Sequence, residues 1–89
     1  MASLPEWRAQ IDQIDRQLQR LLSRRARLSL KIGAYKQNRG LPVVDVRREK
    51  AILERVARLS KGPLPSKSVL KIFTAILQES RTLQRGKKS

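Results

Sequence analysis

Arg25 interrupts an apolar stripe that otherwise runs through the N-terminal part of the chain. Apolar residues recur there at alternating steps of four and three, and one is due between Leu21 and Leu28, where the sequence has Arg25. The stripe consists of Trp7, Ile11, Ile14, Leu18, Leu21, Leu28, Ile32 and Tyr35. An arginine on the buried face of a helix is destabilising unless an anion pairs with it. The spacing therefore indicates either a bound anion or an ion pair with a carboxylate of the same fold.

Charged and polar residues also interrupt the apolar faces of two further predicted helices, and a second cation shares the face of Arg25. They are, in chain order, Lys36, Asp45, Arg48, Glu49, Ser80 and Gln84. Taken singly, Asp45 is explained as a helix cap, and Arg48 with Glu49 as part of a solvated face. Because all of them fall on inward faces, we predict one polar pocket inside a helical bundle.

The element that carries the interrupted stripe is predicted as one long helix, Pro5 to Gln37. Ser3 and Glu6 fit a capping box at its start, and Gly40 can supply a left-handed cap after its end. At a rise of about 1.5 Å per residue the helix is about 50 Å long, whereas a compact chain of this size has a radius of gyration of about 12 Å. Much of the stripe therefore needs a second chain to cover it, and we expect a homodimer.

Two shorter helices are predicted to follow. Asp45 caps the first, which ends near residues 60–62, and Ser66 or Ser68 caps the second, which carries the last apolar face. We assign residues 1–84 to one folded domain and residues 85–89 to a basic flexible tail. No segment shows the pattern of a strand. The predicted fold is all-α, with three helices, one long and two shorter.

The composition excludes several classes of chemistry. The 89 residues include no histidine and no cysteine, which removes the commonest general base, the commonest transition-metal ligand and every thiol nucleophile. We expect neither a metal nor a cofactor.

The chain is strongly basic. Lysine and arginine number 21 against 7 acidic residues, and the formal charge of +14 attracts anionic partners. No apolar run has the length of a signal peptide or a membrane span, so we expect a soluble, cytoplasmic protein.

A row of cations without acidic counterparts runs along the outer face of the long helix, and it consists of Arg16, Arg20, Arg24, Arg27 and Lys31. Such a row can follow a phosphate backbone, as in a small basic protein that binds RNA or the ribosome. No aromatic residue lies within the row to stack on bases. We therefore favour a solvated basic face that concentrates small anions, and nucleic acid is the weaker alternative.

Several ordered motifs carry a resemblance to a known family. They are WR at 7–8, ID at 11–12, LLSRR at 21–25, IGAYK at 32–36, PVVDVRRE at 42–49 and FTAILQES at 73–80. In these motifs and their spacing the chain resembles the AroQ class of all-helical chorismate mutases over nearly its whole length. The resemblance implies that two three-helix chains intertwine along their long helices. It also implies that each active site takes one arginine, Arg8, from the partner chain.

The distance between two arginines agrees with this arrangement. Arg8 and Arg25 are 17 residues apart (25 minus 8), or about 26 Å along one helix, so they cannot hold the same small ligand within one chain. An antiparallel partner that crosses near residues 16 and 17 brings Arg8 of one chain beside Arg25 of the other.

By the same resemblance, the reaction is the intramolecular Claisen rearrangement of chorismate to prephenate, an isomerase step of aromatic amino acid biosynthesis in the shikimate pathway. The implied substrate contacts are Arg25, Arg48 and the partner's Arg8 at the carboxylates, Lys36 and Gln84 at the ether oxygen, Asp45 and Glu49 at the ring hydroxyl, and Ser80 beside the substrate. Four of these residues are implied to be catalytic, namely Lys36, Gln84, Arg25 and Glu49.

This reaction suits a chain without histidine or cysteine, because it needs no nucleophile, metal or obligatory proton transfer. The enolpyruvyl arm must be held over the ring, and charge developing on the ether oxygen must be stabilised. Two alternatives remain open: elimination of pyruvate from isochorismate on the same fold, and the RNA- or ribosome-binding protein described above. The sequence is also compatible with a partner enzyme, or a fused domain, of aromatic biosynthesis.

Overall fold

The computed structural model describes residues 2–86 and consists of three α-helices, α1 (Leu4–Asn38), α2 (Val46–Leu59) and α3 (Ser66–Gln84). No strand occurs within this range. The predicted all-α architecture of one long and two shorter helices is confirmed. α1 extends one residue beyond the predicted helix at each end.

α1 begins and ends where its sequence signals indicate. The hydroxyl of Ser3 accepts a hydrogen bond from the backbone N–H of Glu6 at 3.4 Å. After the last turn, the backbone N–H of Leu41 donates to the carbonyl of Lys36, and Gly40 between them has a φ of 65° in the left-handed region. The turn satisfies a carbonyl that the end of the helix leaves without an intrahelical partner.

α2 and α3 begin in different ways. Asp45 caps α2 as predicted, since its Oδ1 accepts from the backbone N–H of Arg48 at 3.0 Å. The prediction that Ser66 or Ser68 caps α3 is wrong, because Pro65 is the N-cap residue and no side chain caps this helix. The carbonyl of Pro65 already accepts from the backbone N–H of Ser68 at 2.9 Å. Both serines therefore lie inside the first turn, where their hydroxyls cannot act as the cap.

α3 is the central element of the chain. It packs against both α1 and α2, whereas α1 and α2 make no close backbone contact with each other within residues 2–86. Ile52 of α2 and Leu77 of α3 are buried at these contacts. α1 and α3 approach closely at Gly33, where an added Cβ would lie 2.5 Å from the backbone oxygen of Gln84. A residue without a Cβ is what permits this approach.

Most of the apolar stripe on α1 is not covered by its own chain. Trp7 is 53% exposed, Leu18 51% and Leu21 56%. The chain measures 58 × 27 × 18 Å and has a Cα radius of gyration of 16.4 Å, against about 12 Å for a compact chain of this length. α1 therefore presents a continuous apolar face of a kind that monomeric proteins seldom leave open.

The predicted basic tail is described only in part. α3 ends at Gln84, and Gly86 follows the cap residue Arg85 with a φ of 62°. Residues 87–89 lie outside the described residues, so the tail stays a prediction. None of the three described helices is long and apolar enough to cross a membrane.

Candidate active site

A cleft of about 390 Å³ lies between α1, α3 and the first turn of α2. Seven of the eight predicted site residues line it, namely Arg25, Lys36, Asp45, Arg48, Glu49, Ser80 and Gln84. The eighth, Arg8, is exposed near the N-terminal end of α1 and does not line the cleft. One chain therefore brings together every predicted site residue except the one assigned to a partner.

Arg25 contacts α3 at the hydroxyl of Ser80, which also pairs with the hydroxyl of Ser29 on α1. Its Nη1 donates to the Oγ of Ser80 at 2.5 Å, and the Oγ of Ser29 lies 2.8 Å from that same oxygen. Both serines are buried. No carboxylate pairs with Arg25 within residues 2–86. A guanidinium has five N–H donors, so the bond to Ser80 leaves donors of Arg25 for an anionic ligand.

Lys36 and Gln84 place donors from two helices side by side. The Nζ of Lys36 donates to the backbone carbonyl of Val43 and to the Oε1 of Gln84, each at 2.8 Å. An ammonium group has three protons, so one of them remains for a ligand. Lysine cannot accept a hydrogen bond, which requires Gln84 to turn its oxygen toward Lys36 and keeps both amide protons for other acceptors. The two side chains can therefore donate to a single ligand oxygen.

Asp45 and Arg48 meet at the start of α2. One carboxylate oxygen of Asp45 is engaged by the backbone N–H of Arg48, and the other is available to a ligand. Both residues line the cleft. The capping role of Asp45 and a ligand contact are therefore compatible with each other.

Glu49 is held by a residue that the sequence analysis did not identify. The Nη1 of Arg81 donates to the Oε1 of Glu49 at 2.5 Å. This contact is the one ion pair within residues 2–86. The two side chains are 24% and 23% exposed. Arg81 follows the buried Leu77 by four residues, at the edge of the apolar face of α3, and is 32 residues from Glu49. Spacing therefore places Arg81 near the inner face but does not identify its partner.

Two small residues on α1 have roles at the cleft that the sequence analysis did not assign. Gly33 is where the backbone at Gln84 packs against α1. Ser29 lies one turn after Arg25 on the same side of α1, and its hydroxyl contacts the Ser80 hydroxyl to which Arg25 donates. The signal for Gly33 was available, since a lone glycine within a helical pattern often marks a close approach of backbones.

The chemistry of the cleft favours a small anionic ligand. Three cations line it against two carboxylates, one of which is already paired. Apolar residues line the cleft beside these charges, and they are Leu28, Ile32, Val43, Ile52 and Leu77. Within residues 2–86, no group of three or more histidine, cysteine, aspartate or glutamate residues could hold a metal ion.

Comparison with known proteins identifies relatives across almost the whole chain. A sequence model of the family described as chorismate mutase type II matches residues 7–85. The bifunctional chorismate mutase/prephenate dehydratase of Aquifex aeolicus (strain VF5) is 35% identical over 89 residues, which cover 96% of this chain and 25% of that relative. The chain thus spans a quarter of the length of this curated relative.

Two solved structures share the fold at similar levels of identity. Form II of the chorismate mutase from Thermus thermophilus has a TM-score of 0.91 and 31% identity, and covers 97% of this chain and 98% of that chain. The chorismate mutase from Helicobacter pylori in complex with prephenate has a TM-score of 0.83 and 31% identity, and covers 93% of this chain and 90% of that chain.

Proposed function

The chain belongs to the chorismate mutase type II family, and from this premise we propose that it rearranges chorismate to prephenate in one intramolecular step. The observation that carries the proposal is the pair formed by Lys36 and Gln84, whose free donors line the same cleft as Arg25. The cleft supplies one group for a carboxylate and two for an ether oxygen.

The donors of Lys36 and Gln84 act on the bond that breaks. As the C–O bond lengthens, negative charge grows on the ether oxygen, and the free proton of Lys36 and the amide of Gln84 stabilise it there. Both side chains are fixed before the substrate binds, Lys36 by Val43 and Gln84 by Lys36. Such preorganised donors act more strongly in the transition state than in the ground state, which raises the rate.

Arg25 acts on the conformation of the substrate. Its free guanidinium donors bind one carboxylate, with Arg48 as a further cation in the same cleft. The second carboxylate is bound by Arg8 of the partner subunit. Two fixed contacts of this kind hold the enolpyruvyl arm over the ring, where the new C–C bond forms. The hydroxyl of Ser80 lies beside this clamp, and the carboxylates of Asp45 and Glu49 accept from the ring hydroxyl.

The clamp requires a homodimer. Arg8 and Arg25 lie on the same helix, about 26 Å apart along its axis, and cannot contact one molecule of chorismate within one chain. The exposed apolar stripe of α1 supports an intertwined dimer in which two copies of α1 pack along each other. An antiparallel crossing near residues 16 and 17 buries this stripe and places Arg8 of each chain at the cleft of the other.

No cofactor enters the proposed reaction, and no proton has to leave the substrate. One C–O bond breaks and one C–C bond forms within the same molecule, so atoms and electrons balance without a second reactant.

A cytoplasmic location and a partner enzyme of aromatic biosynthesis remain predictions from the sequence. We regard the basic outer face of α1 as solvated.

The test is to incubate the purified protein with chorismate and to follow chorismate loss and prephenate formation by chromatography. We expect stoichiometric conversion by the wild type and none above background by Arg25→Ala. A parallel incubation with isochorismate addresses the related lyase reaction. Faster pyruvate release from isochorismate than loss of chorismate would overturn the proposal, as would the absence of any prephenate.

A further inference from the structure

α3 joins the two halves of the candidate active site. α1 supplies Arg25 and α2 supplies Glu49, yet α1 and α2 make no close backbone contact within residues 2–86. Two consecutive residues of α3 connect them: Ser80 accepts from Arg25, and Arg81 donates to Glu49. The position of the α2 carboxylate relative to the α1 cations therefore depends on α3.

Arg81 does not line the cleft but contacts a residue that does. Glu49 lines the cleft and Arg81 does not. The guanidinium of Arg81 engages Oε1 of Glu49, while a carboxylate has two oxygens with about four acceptor positions. Oε2 therefore remains available to a ligand. A glutamate side chain has several rotatable bonds. Because the ion pair with Arg81 already restricts them, less conformational entropy is lost when a ligand binds to Glu49.

We propose that Arg81 is a positioning residue for the substrate's ring hydroxyl. By holding one oxygen of Glu49, it fixes the other as the acceptor for that hydroxyl, and it selects substrates that carry a hydroxyl at this place. The inference rests on the proposed function, because it assigns a role toward chorismate. Arg81 itself touches neither the substrate nor the reacting atoms.

The alternative role of Arg81 is to tie α2 to α3 or to supply positive charge. A structural tie, or a general electrostatic effect, would act on every ligand of the cleft by the same factor. A positioning role acts only on ligands that have the hydroxyl. A chorismate analogue with hydrogen in place of the ring hydroxyl separates the two roles.

The experiment compares wild type, Arg81→Met and Arg81→Lys by their KM and kcat for chorismate and by the inhibition constant of this analogue. We expect Arg81→Met to raise KM about tenfold with little change in kcat, as for the loss of one hydrogen bond at a charged group. Arg81→Lys, which keeps the charge and a donor, should lie in between. The inhibition constant of the analogue should stay within about twofold of the wild-type value in both variants.

Arg58→Met is the matched control, because Arg58 is an exposed arginine on α2 and its loss removes the same charge. Its kinetics should equal those of the wild type. If Arg81→Met raises the KM for chorismate and the inhibition constant of the analogue by the same factor, the positioning role is wrong. An unchanged KM in both variants of Arg81 also overturns it, and Arg81→Lys alone decides if Arg81→Met does not fold. A wild type without mutase activity would instead refute the proposed function, and this inference with it.

Discussion

The ammonium of Lys36 lies 2.8 Å from the side-chain oxygen of Gln84, so that donors from α1 and α3 meet in one cleft. The amide of Gln84 is neutral and donates at any pH. We expect Gln84→Glu to lower kcat/KM near neutral pH by about 10²- to 10³-fold, the usual effect of losing one donor at an oxygen that gains charge. Activity of the variant should rise as the pH falls, because only the protonated acid donates and an ordinary glutamate has a pKa of about 4.3.

A pH profile of kcat/KM checks this expectation. The wild type should keep a flat profile across neutral pH. Gln78→Glu is the matched control, because it makes the same change at an exposed position of α3. It should behave as the wild type does. A profile of Gln84→Glu that runs parallel to that of the wild type would contradict the donor role of Gln84.

Arg25→Met should separate stability from activity. Arg25 contacts Ser80 and pairs with no carboxylate within residues 2–86, so its replacement removes the partner of no carboxylate in the described chain. We expect the free energy of unfolding to change by less than about 1 kcal/mol, or to increase. Activity should fall by at least about 10²-fold, because an anionic substrate loses a charged partner in the cleft. Denaturant titration and steady-state kinetics measure the two effects.

The control for Arg25→Met is Arg20→Met. Arg20 lies on the outer basic face and is exposed. The two substitutions remove the same charge, so a difference between them reports on the clamp rather than on the field of the whole protein. Equal losses of activity in both variants would mean that Arg25 acts only through its contribution to that field.

The sequence predicted most of the cleft for a physical reason. Apolar periodicity makes every polar interruption visible, and Arg25, Lys36 and Ser80 each interrupt an inward face. Arg81 lies at the edge of such a face, but spacing does not show that it pairs with Glu49, because that contact depends on how α2 and α3 pack. Contacts within one helical face follow from spacing, whereas contacts between helices follow from packing geometry.

The start of α3 shows the same limit at the level of local structure. Serine is a good capping residue, and the sequence offered two candidates in Ser66 and Ser68. Which residue becomes the cap depends on where the backbone leaves the helical region, and here that residue is Pro65, with φ −61° and ψ 149°. Composition alone does not contain this information.

Gly33→Ala should destabilise the protein, although the same change in an ordinary helix stabilises it. Alanine is favoured over glycine in a helix by about 0.5–1 kcal/mol. At this position the new Cβ would lie 2.5 Å from the backbone oxygen and 2.6 Å from the Cα of Gln84. α3 has to move away, which we expect to cost about 1–3 kcal/mol of stability. The displacement of Gln84 should also lower kcat.

Thermal denaturation of Gly33→Ala and of a control on the same helix measures this effect. Ser23→Ala is suitable, because Ser23 is exposed on α1. It should be neutral or slightly stabilising. A Gly33→Ala variant that is as stable and as active as the wild type would show that α1 and α3 do not pack this closely in solution.

Arg8 and Arg25 should complement each other between chains. Arg8→Ala and Arg25→Ala are each expected to be inactive, because each homodimer has two incomplete sites. In a heterodimer of the two variants, one site has lost both arginines and the other keeps both. Random exchange of subunits makes half of the dimers heterodimers, so an equal mixture should recover about a quarter of wild-type activity. Kinetics after joint unfolding and refolding measure the recovered activity.

A mixture of Arg8→Ala with Arg8→Met is the control, because it contains no intact site and should stay inactive. Failure of the first mixture to regain activity would mean that the partner's Arg8 does not complete the cleft.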